Sequence, residues 1–317
     1  MWPSICTTKK IRGFVDVGTI TENDTLSFNL GEFDLFITSE LSDNISFLSE
    51  TVFKYYSTLE EFKVSIERVI INYNYKGNHS LVLGKQHTQI SYWNESYHHG
   101  RVFFPTTRKP FLFGSNFIPI HTTGVGFQGL NLGKLKLGYT LLVGNGLGSK
   151  EIVDNDKYKS VTASVHIKPI DKFQIGLSYY NDIISDSAKI HKKYIVDEKI
   201  KQQIYTGSVS YFGSKYEVLA EGVLLNNKTV SKGNNQSFAS YVYAGIRLKE
   251  RWVPYVRLDY LNFQKEESYL SIDDTTSFLT GLRYEINYLM VMKMEYQHYK
   301  RDSGSSNQFS AQFAIGF

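Results

Sequence analysis

Large apolar residues recur at every second position along most of the chain. In FQIGLSYY, Phe173, Ile175, Leu177 and Tyr179 alternate with Gln174, Gly176, Ser178 and Tyr180, and in SVTASVHIK, Val161, Ala163, Val165 and Ile167 alternate with Thr162, Ser164, His166 and Lys168. LKLGYTLLV, IYTGSVSYF, TSFLTGLRYEINY and MVMKMEYQHY repeat the theme. Successive side chains of an extended strand point to opposite faces, so each segment has one apolar and one polar face. Helical periodicity is not sustained over any long window, and the pattern predicts an all-β chain. The predicted strands span roughly 10–20, 26–41, 45–56, 62–75, 79–88, 119–130, 134–144, 159–169, 172–183, 202–212, 215–226, 237–249, 252–264, 275–287, 289–300 and 307–317, about sixteen in all. In the fourth, Phe62, Val64 and Ile66 give way to Val69, Ile71 and Tyr73, a change of phase that predicts a bulge around Glu67 and Arg68.

The links between these segments alternate in length. SDN, KGNH, NLGK, PID, FGSK, KER and NYL are turn-like, whereas TENDT, STLEE, 89–118, GNGLGSKEIVDNDKYK, SDSAKIHKKYIVDEKI, NKTVSKGNNQ, QKEESYLSIDDT and RDSGSSN are longer. Tight turns at one end and excursions at the other are the habit of a membrane-spanning barrel. In hydrocarbon, unpaired backbone groups cost several kcal/mol each, so a spanning sheet has to close on itself. The final stretch, NQFSAQFAIGF, fits that demand. Phe309, Ala311, Phe313, Ile315 and Phe317 share one face, Gln308, Ser310, Gln312, Ala314 and Gly316 the other, and the pattern runs to the last residue as the closing strand of a cylinder requires. A soluble two-sheet sandwich with an aromatic core is the competing arrangement, although its strands are usually shorter and less regularly punctuated.

Composition sharpens this picture. The 317 residues include 23 Tyr and 21 Phe but only 6 Pro, a mixture that favours strands. No apolar run is long enough for a membrane-spanning helix, a test to which barrels are blind because their inward residues dilute every hydrophobic window. A net charge of +4, with no clustered lysines or arginines, argues against nucleic acid as a partner. The N-terminus, MWPSICTTKK, lacks the charged, apolar and small-residue sections of a secretory leader, so any exported form has had its leader removed or the sequence is truncated. Cys6 is alone and forms no internal disulfide.

Taken together, the terminal phenylalanine, the alternating links and the strand number resemble a Gram-negative outer-membrane β-barrel porin. The segment GKQHTQISYWNESYHHGRVFFPTTRKP is in addition similar to a stretch of porin-like barrels of Bacteroidota. The resemblance implies a closed antiparallel transmembrane barrel over 1–317, with 1–9 as an N-terminal extension, short periplasmic turns and long external loops. It also implies residence in the bacterial outer membrane, contact with its lipid and association in threes. The aromatic final strand is similar to the signal that such barrels present to their insertion machinery. Residues 89–118 stand where general porins fold a loop inward to constrict the pore.

If the apolar set faces lipid, the opposite set lines the lumen and carries mixed charge. The basic candidates are Arg12, Lys54, Lys63, Lys136, Lys168, Arg247, Arg257, Arg283 and Lys293, and the acidic ones Asp16, Glu50, Glu67, Glu217, Glu221, Asp259, Glu285 and Glu295. A dry core would need every one of these groups paired, whereas a water-filled interior would not. Loop 89–118 is rich in aromatic residues, among them Tyr92, Trp93, Tyr97, Phe103, Phe104, Phe111 and Phe113, which predicts packing rather than solvation. Folded inward, it would bring Arg101, Arg108, Lys109, His98 and His99 to the constriction, with Glu95 as their only acidic companion and a mild anion preference as the result.

His87, His98 and His99 raise the question of a metal, but neighbours on an extended segment point to opposite sides, and structural hydrogen bonding is the expected role. Neither His79 with Ser80 nor His87 with Ser91 brings the third member or oxyanion site of a hydrolase. GVGFQGLNLG and GNGLGS lie between strands and open no helix, so they are not phosphate cradles. The sequence therefore predicts a passive channel for small polar solutes, without reaction, metal or cofactor. A plugged barrel serving as a subunit of an outer-membrane assembly is the alternative.

Overall fold

The computed structural model describes all residues except 1–8, 23–24, 57–59, 99, 115–116, 148–153, 155, 191–193, 265–266, 268 and 271–272. Alternation produces long strands: β1 (Lys9–Glu22), β2 (Thr25–Glu40), β3 (Ile45–Tyr56), β4 (Glu61–Lys76), β5 (His79–His87), β6 (His121–Leu132), β7 (Leu137–Asn145), β8 (Lys159–Ile167) and β9 (Phe173–Ile184). After a small ribbon of β10 (Lys189–Ile190) and β11 (Tyr194–Ile195) come β12 (Ile200–Phe212), β13 (Tyr216–Thr229), β14 (Gly233–Ile246), β15 (Trp252–Asn262), β16 (Thr275–Asn287), β17 (Met290–Arg301) and β18 (Gly304–Gly316). Two short helices, α1 (Tyr92–Ser96) and α2 (Phe111–Gly114), lie between β5 and β6. Apart from the ribbon, the described strands form one closed antiparallel barrel of sixteen strands, each paired with its sequence neighbours.

Closure joins the two ends of the chain. β1 pairs with β18 from Phe14↔Gly316 to Ile20↔Ser310, and Gly13 and Phe317 exchange two backbone hydrogen bonds of 2.9 Å. Phe309 and Phe317 turn outward while Ser310, Gln312 and Ala314 are buried inside, the two faces that the alternation predicts. Elsewhere Leu141, Leu177, Val242, Leu258, Phe278 and Met294 are exposed on the outer surface, as a lipid-facing wall requires.

The phase change in β4 is a bulge. Glu50 pairs with Arg68 and Thr51 with Ile66, so Glu67 is the extra residue. A second register shift lies between Val15 and Val17 of β1, which face Phe33 and Leu30 of β2, and it turns Asp16, Glu32 and Asp34 inward.

Two sequence expectations need correction. The tracts TENDT, NKTVSKGNNQ and RDSGSSN are not excursions. β13 and β14 continue to a link of residues 230–232, β17 and β18 to one of 302–303, and β1 and β2 to one of 23–24. Polar residues continue a ladder readily because its hydrogen bonds are made by backbone, as between Lys228 and Asn234. Nor is the interior wet throughout. Inward residues of β9 and β12–β16, including Tyr180, Ile204, Leu219, Val223 and Tyr241, pack with Ile90, Trp93, Phe104 and Phe117 of the β5–β6 loop into one buried apolar cluster. That loop is apolar because it packs against the inward side of these strands.

Candidate functional site

The loop of residues 88–120 leaves and rejoins the wall at adjacent points, since His87 and His121 face each other across β5 and β6. Asn94 ties the two ends together, its amide donating to the carbonyls of Thr88 (2.7 Å) and Ile120 (3.0 Å). Ser91 caps α1, its hydroxyl accepting from the Asn94 N–H at 3.1 Å. Across the lumen, Glu221 of β13 accepts from the N–H groups of Tyr92 (2.7 Å) and Trp93 (3.0 Å). Trp93 itself is fully buried, edge-on to Phe104 and Tyr241.

Beyond α1 the chain turns at Gly100, whose φ of +78° suits glycine and whose missing Cβ makes room for the ring of Phe14. The next residues lie against the wall of β15–β18 and are held there by its charges. Arg257 donates to the Thr106 hydroxyl and the Arg108 carbonyl, each at 2.8 Å, and to Asp259 at 2.9 Å. Arg283 reaches the Pro105 carbonyl at 3.1 Å and the Glu217 carboxylate, while Lys293 donates to the carbonyls of Arg101 and Thr106. In return Glu295 accepts from the Thr107 N–H (2.6 Å) and hydroxyl, and Asp259 from the Phe111 N–H (3.3 Å). Irregular backbone inside a barrel needs partners, and buried ions need opposite charge and hydrogen bonds. Each group meets the other's requirement.

Segment 101–109 separates two cavities. On the side of the long loops lies a cleft of 420 Å³ lined by Asp16, Glu32, Lys54, Arg101, Arg108 and Lys109, with small residues of β1, β2 and β18. On the side of the short turns lies a cavity of 300 Å³ bounded by Val102, Phe103, Pro105, Glu217, Arg247 and Glu285 among others. In the cleft Arg101 pairs with Asp16 (3.3 Å) and Glu32 (3.2 Å), and Lys54 with Glu32 (2.7 Å). Four cations face two carboxylates, leaving the cleft two positive charges in excess. Lys109 touches the cleft yet is enclosed by wall and loop, and this desolvation, with Arg101 and Lys54 nearby and Glu32 opposing, lowers it to about 8.

The predicted site residues are thus partly brought together. Arg101, Arg108 and Lys109 share the cleft, but Glu95 is not their companion. It lies on α1, where burial first and then the like charge of Glu221, opposed by Lys168, raise it to about 8. The acidic partners are Asp16 and Glu32 of the wall. Glu32 was missed by the sequence reading, although a signal for it exists: Phe28 and Leu30 followed by Phe33, Leu35 and Ile37 is the same kind of phase change as in β4. Of the expected lumen residues, Arg257, Asp259, Arg283, Lys293, Glu295, Glu217 and Glu221 are buried inside, and Arg247 and Glu285 pair with each other near the short turns. Lys168 keeps the inward phase one step past the end of β8. Lys136 does not belong with them: it stands exposed in the turn between β6 and β7, at a φ of +47°, because β7 starts only at Leu137. His98 is buried beside His87, with ring centroids 3.8 Å apart, and not in the cleft, since it follows a helical turn rather than an extended segment. His99 lies outside the described residues.

No family model matches the chain, and no curated protein does. Among solved structures, the outer-membrane expressed OmpT of Vibrio cholerae is similar at a TM-score of 0.67 and 12% identity, over 100% of both chains. The anion-selective porin from Comamonas acidovorans is similar at a TM-score of 0.69 and 11% identity, covering 98% of this chain and 100% of its own. The outer membrane channel DcaP of Acinetobacter baumannii gives 0.69 and 13%, covering 98% and 97%. At such identities the likeness establishes the fold, that of outer-membrane barrels.

Proposed function

We propose that the chain is an outer-membrane channel for passive diffusion of small hydrophilic solutes, with mild anion preference, and that loop 88–120 is its constriction. The short turns face the periplasm in this reading and the long loops the exterior. The observation that carries it is the pair of cavities separated by segment 101–109, the outer one lined by charge and two positive charges in excess. Fixed cations beside a narrow path favour anions. A similar barrel from Comamonas acidovorans is described as anion-selective, which agrees with that sign. The reading assigns the chain no reaction and no cofactor. It includes the kinship with Bacteroidota barrels carried by residues 84–110, insertion by way of the aromatic final strand, and association in threes.

The apolar cluster packed inside β9 and β12–β16 favours a second reading, a plugged barrel acting as a structural subunit. Swelling of liposomes loaded with the purified protein tests the two. The channel reading expects uptake of small sugars and salts that falls steeply with solute size. A folded barrel that admits none of them, with swelling equal to empty liposomes, supports the plug and refutes the channel.

A further inference from the structure

Three histidines far apart in sequence meet at the root of loop 88–120. His87 ends β5, His121 begins β6 directly opposite it, and His98 comes down from the turn after α1. Ring centroids are 3.8 Å apart for His87 and His98, 4.7 Å for His98 and His121, and 5.4 Å for His87 and His121. One ring nitrogen from each can be chosen so that all lie within 4.8 Å of one another. Three imidazoles around one ion, with Zn–N of about 2.0–2.1 Å, need nitrogens roughly 3.3 Å apart, which small rotations of the rings supply.

The surroundings fix how His98 presents itself. The Asn94 amide nitrogen is committed to two carbonyls, so its oxygen faces the ring and accepts from Nδ1 of His98 at 2.7 Å. Nδ1 therefore carries the proton, and Nε2 carries the lone pair that a metal takes. A neighbour that sets the tautomer of a histidine and holds its ring is the usual outer support of a metal ligand. Charge is provided as well. A carboxylate oxygen of Glu67, the bulge residue of β4, lies 3.0 Å from His121 Nε2, and one of Glu50 lies 3.9 Å from His87 Nε2. A dication enclosed here would meet two carboxylates, of which Glu50 is shared with Arg68.

We propose that His87, His98 and His121 form a binding site for a first-row divalent cation of the kind that imidazole prefers, such as Zn2+ or Cu2+, with Glu67 as the neighbouring carboxylate. Hard cations such as Mg2+ and Ca2+ choose oxygen-rich sites and are not candidates. Because the ligands come from β5, β6 and the loop between them, the ion would fasten the loop to the wall. The proposal does not depend on whether solutes cross the barrel.

Co2+ titration of chelator-treated, detergent-purified protein tests it. The expected result is saturable uptake of one Co2+ per chain, with the intense visible bands of low-coordinate cobalt, reversed by Zn2+. His98→Ala and His121→Ala should abolish the bands, and Asn94→Ala should weaken binding by roughly 10–100-fold. Absence of saturable uptake, or uptake unchanged in both histidine variants, overturns the proposal. X-ray absorption of the Zn2+-loaded wild-type protein decides without any variant that must fold: three imidazoles in the coordination shell support the site, and two or fewer refute it.

Discussion

Reversing one charge in the cleft should change which ions pass. Lys109→Glu converts four cations and two carboxylates into three of each, removing the excess of two positive charges. At about 7 Å in water a unit charge acts on a permeating ion with about 0.6 kcal/mol, close to RT, so each charge changes the entry of chloride by roughly threefold and the reversal by about sevenfold, with opposite changes for potassium. In dilute salt near 10 mM the Debye length is about 30 Å and leaves this field unscreened. The assay is the reversal potential across a planar bilayer in a KCl gradient. Wild type should favour chloride modestly, and Lys109→Glu should move the potential to neutrality or beyond, with the conductance still present. An unchanged potential in the variant, or clear potassium selectivity in wild type, would exclude the cleft as the source of selectivity.

Three further outcomes follow from the same geometry. Burial lowers Lys109 to about 8, so between pH 7 and 9 the cleft loses one of its positive charges. Chloride preference should therefore fall as pH rises through that window, and Lys109→Arg should flatten the dependence; a wild-type potential independent of pH contradicts it. Arg257→Ala removes donors to Thr106, Arg108 and Asp259 and leaves Asp259 buried without its ion pair, so unfolding in urea should show a loss of about 3–5 kcal/mol and the loop should become open to protease. Leu258→Arg places a charge on the lipid-facing side of β15 and should destabilise the barrel in bilayers by about 2–4 kcal/mol, with a much smaller effect in micelles.

Most of the barrel was legible because its signal is local. Period-two alternation marks a strand and its faces without knowledge of its partner, and the bulge at Glu67 shows as a change of phase. Closure was legible too, since Phe317 still keeps step with Phe309. Strand ends beyond the apolar band were not, because backbone pairing between residues such as Lys228 and Asn234 leaves no hydrophobic trace. The site was read in part. Arg101, Arg108 and Lys109 are close in sequence and share the cleft; Asp16 was read as inward but not as their partner, and Glu32 was missed, because both contacts depend on a register shift in another hairpin. The histidine cluster depends on the pairing of β5 with β6 across a loop of residues 88–120, and distance along the chain gave no hint that His121 belongs with His87. The dry part of the lumen escaped for a related reason: inward apolar residues of β9 and β12–β16 can be told from outward ones only once the loop that covers them is in place.

In the proposed channel, ions pass through the cleft beside Lys109. The decisive measurement is single-channel recording of Lys109→Cys, with Cys6 replaced by Ser, before and after addition of a bulky anionic methanethiosulfonate reagent. Each open channel should fall to a smaller conductance as the thiol reacts, and Phe28→Cys on the outer wall should show no such step. Currents that persist at full size after mass spectrometry shows complete labelling of Cys at position 109 would place the path elsewhere.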